Sequence, residues 1–165
     1  MALRHTQVLF FRDDLAEVVG KMNEISEATC DTKAHSWMNF KPWFDEDNND
    51  MIWDPPLRKL FSARGPHVPF ATWVPAHSKR SRTQPMVIGL THPKGRYAVR
   101  QLAEDGLQMP ETWHVRQDHS RRGIVIACDY DATPKQALEF LLDASVLLSG
   151  IELDSRWVGD IVEGF

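Results

Sequence analysis

Cysteine is nearly absent from this chain: Cys30 and Cys128 are the only two in 165 residues. They lie far apart in sequence and build neither a C-x-x-C redox pair nor a zinc knuckle, so buried free thiols are expected rather than a disulfide. Long hydrophobic runs are lacking as well, and none approaches the ~20 apolar residues of a membrane span. A strong excess of one charge is missing, because 19 basic and 23 acidic residues leave a net charge of -4 and an isoelectric point near 5.9. Bulk nucleic-acid binding normally accompanies a high isoelectric point and is disfavoured on that ground. Glycines are few and scattered: Gly20, Gly65, Gly89 and Gly95 stand alone, so no phosphate-cradling loop or dinucleotide fingerprint is present. Seven histidines occur without H-E-x-x-H, H-x-x-E-H or H-x-H spacing, which leaves zinc unsupported. No metal, no cofactor and no catalytic residue is indicated, and the expectation leans away from an enzyme. The opening Met1-Ala-Leu-Arg-His-Thr turns polar within four residues and does not read as a signal peptide. A soluble cytoplasmic chain, folded as one domain over residues 1–165, is the expectation.

What is present begins with 42% hydrophobic and 10% aromatic residues, enough for a packed core at this length. Eight of the ten prolines fall between Pro42 and Pro93, which excludes long helices from that window. A strand is expected over Thr6 to Phe11, followed by a helix whose stripe is Leu15, Val18, Val19, Met22 and Ile25, with Asp14 and Glu17 at capping-box spacing. A second helix is framed by Thr133 as N-cap, Pro134 at the first position, Gln136 completing the box and Gly150 at the end. Its broad apolar face predicts burial across a sheet. Strands are expected at 68–74, held to an edge or an irregular course by its prolines, and at 86–91, 96–102, 112–117, 123–130 and 156–162. A helical turn is expected over 57–63. The result is an α+β fold: a largely antiparallel sheet of about five to six strands with two main helices on one face, and an irregular Trp- and Pro-rich segment over about 35–66.

Charge is unevenly spread. Residues 1–76 sum to -3, residues 77–122 to +5 and residues 123–165 to -6, so the middle of the chain is a basic island. In a simple meander the turns at 92–95 and 118–122 reach the same end of the sheet. His92, Lys94, Arg96, His119, Arg121 and Arg122 would then form a basic rim, suited to a phosphate, a carboxylate or an acidic partner surface. The bland alternative is that turns carry charge for solubility. The loop 77–82 would lie at the opposite end. The aromatics Trp37, Phe40, Trp43, Phe44, Trp53, Phe61, Phe70 and Trp73 sit in proline-interrupted chain; Trp43, Phe44 and Trp53 are candidate apolar anchors or pocket walls, against the plainer reading of a satellite core. Asp45, Asp47 and Asn49 imitate the start of a calcium loop, but Asp50 and Pro56 stand where glycine and glutamate are needed. His114 with Asp118, or His92 with Asp105, could pair as a carboxylate-held base. Three functions follow from these features. The favoured one is a non-catalytic binding or regulatory domain with a protein partner. The others are a small-molecule enzyme or sensor for an anionic ligand in an aromatic-lined pocket, and a single-stranded nucleic-acid binder. No membrane partner is expected.

Overall fold

The computed structural model describes residues 3–31, 35–44, 64–79 and 82–164. In chain order the elements are β1 (Leu3–Phe11), α1 (Ala16–Asp31), β2 (His35–Pro42), β3 (Phe70–Val74), β4 (His77–Lys79), β5 (Arg82–Gln84), β6 (Val87–Thr91), α2 (Ala98–Glu104), β7 (His114–His119), β8 (Gly123–Ala127), α3 (Pro134–Leu148) and β9 (Arg156–Gly164). The fold is α+β. Seven strands form one sheet in the order β1-β9-β2-β3-β6-β8-β7, every neighbouring pair antiparallel, and β4-β5 make a separate two-stranded ribbon.

Local sequence explains the best-defined elements. At α3 the Thr133 hydroxyl accepts from the Gln136 amide at 3.2 Å, and the Gln136 side chain returns to the Thr133 amide at 2.9 Å. Pro134 fills a position whose N–H would have no helical partner anyway. The two chain-terminal strands pair along their whole length, from Leu3 opposite Gly164 to Phe11 opposite Arg156. Thus the last strand in sequence inserts between β1 and β2 and holds two interior ladders at once.

One alternating set of sheet residues faces the core. It includes Val8 and Phe10, Trp157 and Ile161, Met38 and Phe40, Ala71 and Trp73, Ile88 and Leu90, and Ile124 and Ile126. The same core takes Val18, Met22 and Ile25 from α1, Ala98 and Leu102 from α2, and Leu138, Leu141 and Leu142 from α3. Contacts of α3 extend to β3, β6, α1 and α2. At the rough coefficient of 25 cal/mol per Å² of apolar area, burying each large side chain here contributes about 1.5–3 kcal/mol.

Four expectations are corrected. The stretch 35–42, expected as part of an irregular segment, is strand β2, paired on both sides within the sheet. The segment 96–102 is not a strand; Ala98–Glu104 is helix α2. Its first amides are capped from another element, since Asp118 of β7 accepts from Ala98 N at 3.2 Å and Val99 N at 3.1 Å. The proline-flanked strand β3 is neither at an edge nor irregular, because Pro66, Pro69 and Pro75 lie outside its five paired residues. The sheet has seven strands rather than five or six, and the described residues include three helices rather than two. The acidic loop 45–50, the helical turn at 57–63, Trp53 and Phe61 lie outside the described residues. Among the described residues no helix is long and apolar enough to cross a membrane.

Candidate functional site

Strand direction decides what meets at each end of the sheet. With all pairs antiparallel, β1, β2, β6 and β7 finish at the end where β9, β3 and β8 begin. We call this end the rim. Leu90 stands opposite Ile124 in the β6–β8 ladder, so the loop after Thr91 and the turn before Gly123 emerge side by side. The rim therefore carries Lys94 and Arg96 from one loop and Arg121 and Arg122 from the other, all four exposed. Expected from a meander, the adjacency arises here from direct β6–β8 pairing, with α2 and β7 inserted between the two strands in sequence.

Two glycines let these loops close on one another. A Cβ at Gly123 would lie 2.1 Å from the Leu90 carbonyl oxygen, and its φ of +83° is one that side-chain-bearing residues rarely adopt. A Cβ at Gly65 would lie 2.3 Å from the His92 carbonyl oxygen, while Gly65 N donates to Ser120 O at 2.9 Å. The segment around Gly65 is thereby stitched to both rim loops.

The two histidines play other parts than the cations. His92 is 0% exposed and lies beneath the rim. Neither of its ring nitrogens has a partner in hydrogen-bond geometry. Burial holds its pKa below 6.5, while the nearby Asp118 carboxylate and the Lys94 backbone pull it the other way. An anion arriving from solvent does not reach it. His119 is half-buried, and its Nδ1 accepts from the amides of Arg121 at 3.0 Å and Arg122 at 3.3 Å. That nitrogen is the internal acceptor of the turn and ties down the backbone at Arg121 and Arg122. Asp118, not Asp105, is the carboxylate that faces His92, and it is already occupied as the cap of α2.

On the other half of the rim exposed aromatics stand beside cations that are paired with carboxylates. Trp43 is 39% exposed, and its N–H donates to Arg156 O at 2.9 Å, which extends β2 along β9. Phe70, the first residue of β3, is 41% exposed, and Phe44 is partly exposed. Phe40 and Trp73 belong to the core instead, so the aromatic segment divides between the two faces of the sheet. Arg12 pairs with Asp143, and Arg156 with Asp154 at 2.7 Å. By contrast, among the described residues no carboxylate pairs with Lys94, Arg96 or Arg122. The ribbon β4-β5 leaves from the opposite end, between Val74 and Val87.

An open cleft of about 380 Å³ lies between the β1–α1 turn and the start of α3, lined by Arg12, Asp13, Asp14, Leu15, Lys135 and Glu139 among others. It holds no aromatic side chain, and Lys135 faces Glu139 at 3.7 Å. Among the described residues no group of three or more His, Cys, Asp or Glu is placed to hold a metal ion. Cys128 is a buried free thiol whose pKa burial pushes up to about 12, with the Asp129 charge adding to the effect, so it stays protonated and a poor nucleophile at neutral pH. The Asp118 cap and the His119 turn acceptor escape a sequence reading. The sole trace of α2 is the four-residue spacing of Ala98 and Leu102 together with Arg100 and Glu104.

No known protein family matches this chain, and no significant similarity joins it to a curated protein or to a solved structure.

Proposed function

We propose that this chain is a non-catalytic binding or regulatory domain that recognises an acidic segment of a protein partner at the rim. One observation carries the reading: Lys94, Arg96 and Arg122 lack carboxylate partners among the described residues and share a rim with exposed Trp43 and Phe70. Arg121 adjoins them in the same exposed turn. Unneutralised cations steer an acidic partner and fix its register, while half-exposed aromatics provide the apolar anchors that charge alone does not. Phe44 extends the apolar half, and Trp53 remains a candidate anchor from the sequence. A free, buried Cys128 suits a reducing compartment such as the cytoplasm. The cleft by Arg12 does not favour the aromatic-pocket reading, because its walls hold no aromatic side chain and Lys135 there is paired with Glu139.

The test is fluorescence anisotropy with labelled acidic peptides that contain aromatic residues, run beside a single-stranded oligonucleotide of equal charge. Saturable peptide binding is expected, with a loss of at least about tenfold in the Lys94→Glu/Arg96→Glu/Arg122→Glu variant. Retention of affinity by that folded variant, or tighter binding of the oligonucleotide, overturns the proposal. The nucleic-acid reading predicts a steep fall of affinity with salt, because bound phosphates release counterions.

A further inference from the structure

The two edges of the main sheet are built differently. At one edge, β7 carries a register shift between Val115 and Gln117 and presents Arg116 there, both devices that blunt an edge against further pairing. At the other edge, β1 runs nine residues in unbroken register with β9, with no proline and no bulge, and Arg4 near its start is its one charged residue. Among the described residues eight large hydrophobic side chains are exposed, and three of them, Leu3 at 51%, Leu9 at 52% and Phe11 at 48%, lie on this one strand. All three occupy odd positions, hence the face opposite buried Val8 and Phe10.

Backbone direction follows from a single bond. Arg12 N donates to Ser155 O at 2.8 Å, so residue 12 directs its polar groups toward β9. Alternation then points the N–H and C=O groups of the odd residues 3, 5, 7, 9 and 11 away from the sheet. Among the described residues only the Phe11 carbonyl is used on that side, by Asp14 N at 3.0 Å.

We propose that β1 pairs antiparallel with β1 of a second copy of this chain, joining two seven-stranded sheets into one. Phe11 gives its carbonyl to Asp14 in its own turn, so the ladder runs over residues 3–9 with the two-fold axis at Thr6. It sets Leu3 opposite Leu9 and His5 opposite Gln7, so each outward-pointing residue meets another outward-pointing residue, apolar against apolar and polar against polar. The parity required for a hydrogen-bonded ladder is thus met. Arg4, the one formally charged residue of the strand, meets Val8 rather than a like charge. A strand whose outward residues match one another under a two-fold axis is suited to an isologous interface. This dimer is independent of the partner proposed for the rim.

The test combines sedimentation velocity and amide hydrogen exchange on the intact chain over about 1–100 µM, the range in which a micromolar dimer fills. The mass is expected to rise from 18.9 kDa toward twice that value. As it rises, the amides of His5, Gln7 and Leu9 gain protection, whereas those of Thr6, Val8 and Phe10 are protected throughout. Gln7→Pro removes only an outward N–H, a change that an edge strand accommodates. It is expected to keep the monomer fold and weaken the dimer by at least about tenfold. Leu9→Lys places a charge on the same exposed face and decides the matter if the proline variant does not fold. A chain that remains monomeric across the range overturns the proposal. So does a dimer whose odd β1 amides stay unprotected, or one that both folded variants leave unchanged. Protection of those amides only by a strand of a different protein overturns the second-copy assignment as well.

Discussion

Residue 92 shows how a side chain can look functional in sequence and serve the fold instead. His92 sits in a basic, turn-like stretch, where an imidazole suits an exposed anion site. The structure buries it fully with two unpaired ring nitrogens, so it is kept neutral by desolvation against the pull of Asp118. Its folded pKa lies below the 6.5 of the unfolded chain. Between those two values the unfolded chain binds the extra proton, so stability is complete above about pH 6.5 and falls as pH drops through that window. His92→Leu fills similar volume without unpaired polar atoms. It is expected to raise stability by about 1 kcal/mol at pH 7, since an unpaired buried polar group costs ~1–3 kcal/mol. It is also expected to flatten the loss of stability just below pH 6.5. Urea titrations of both proteins at several pH values between 5 and 8 check this. A variant that is less stable at pH 7 and keeps the same acid slope contradicts it. His119 differs in kind: its acceptor nitrogen holds the turn that presents Arg121 and Arg122, a role legible only once the turn closes back on the ring.

Among the elements, those whose signals are local were readable, and those whose signals are distant were not. Helix α3 was legible because Thr133, Pro134 and Gln136 cap it from within four residues, and the structure shows both reciprocal bonds. Helix α2 was not, because Tyr97 at its N-cap position has a left-handed φ of 67° and gives no side-chain cap. The cap comes from Asp118, about twenty residues downstream, whose carboxylate accepts from two first-turn amides and complements the helix dipole. Without knowledge of that contact, residues 97–102 alternate well enough to pass for a strand. Asp118→Ala is expected to cost about 1–2 kcal/mol, the range for loss of a capping carboxylate. Amide exchange at Ala98 and Val99 is expected to accelerate more than exchange in α3. Uniform acceleration across both helices would assign Asp118 a global role instead of a capping one. Prolines misled in the other direction: they marked 68–74 as an edge, yet they bracket an interior strand whose Ala71 and Trp73 are fully buried. Of the site, the two basic turns share one end of the sheet through direct β6–β8 pairing, not through the alternating connections of the meander expected from sequence, which counted 96–102 as a strand. The division of the aromatics was not legible, because the register of β2 against β3 and β9 decides which of them point inward.

At the scale of the whole molecule, the two ends of the chain define the sheet. β9 is the final strand in sequence and the second in the sheet, and each of its neighbours, β1 and β2, comes from the first quarter of the chain. Such long-range pairing orders the N-terminal strands only after the C-terminal one has arrived, and it leaves β1 as the edge. It also brings the termini together, with Leu3 opposite Gly164 in the ladder. Joining Phe165 directly to Met1 would leave Phe165, Met1 and Ala2 as a three-residue connection, a length that β-hairpins use commonly. New termini opened between Gln108 and Met109, in the irregular stretch after α2, interrupt no strand and no helix. This circular permutant converts the longest-range ladder of the fold into a local hairpin without altering any core residue. It is expected to fold with an unchanged circular-dichroism spectrum, a Tm within roughly 5 °C of the parent, equivalent to about 1–2 kcal/mol at this size, and a faster folding rate. A permutant that is unfolded, or that folds more slowly than the parent, would show that β1 and β9 are not hairpin neighbours. Should the permutant fold as expected, the outward groups of β1 are untouched by the new loop, and the rim keeps all of its cations at the same end of the same sheet.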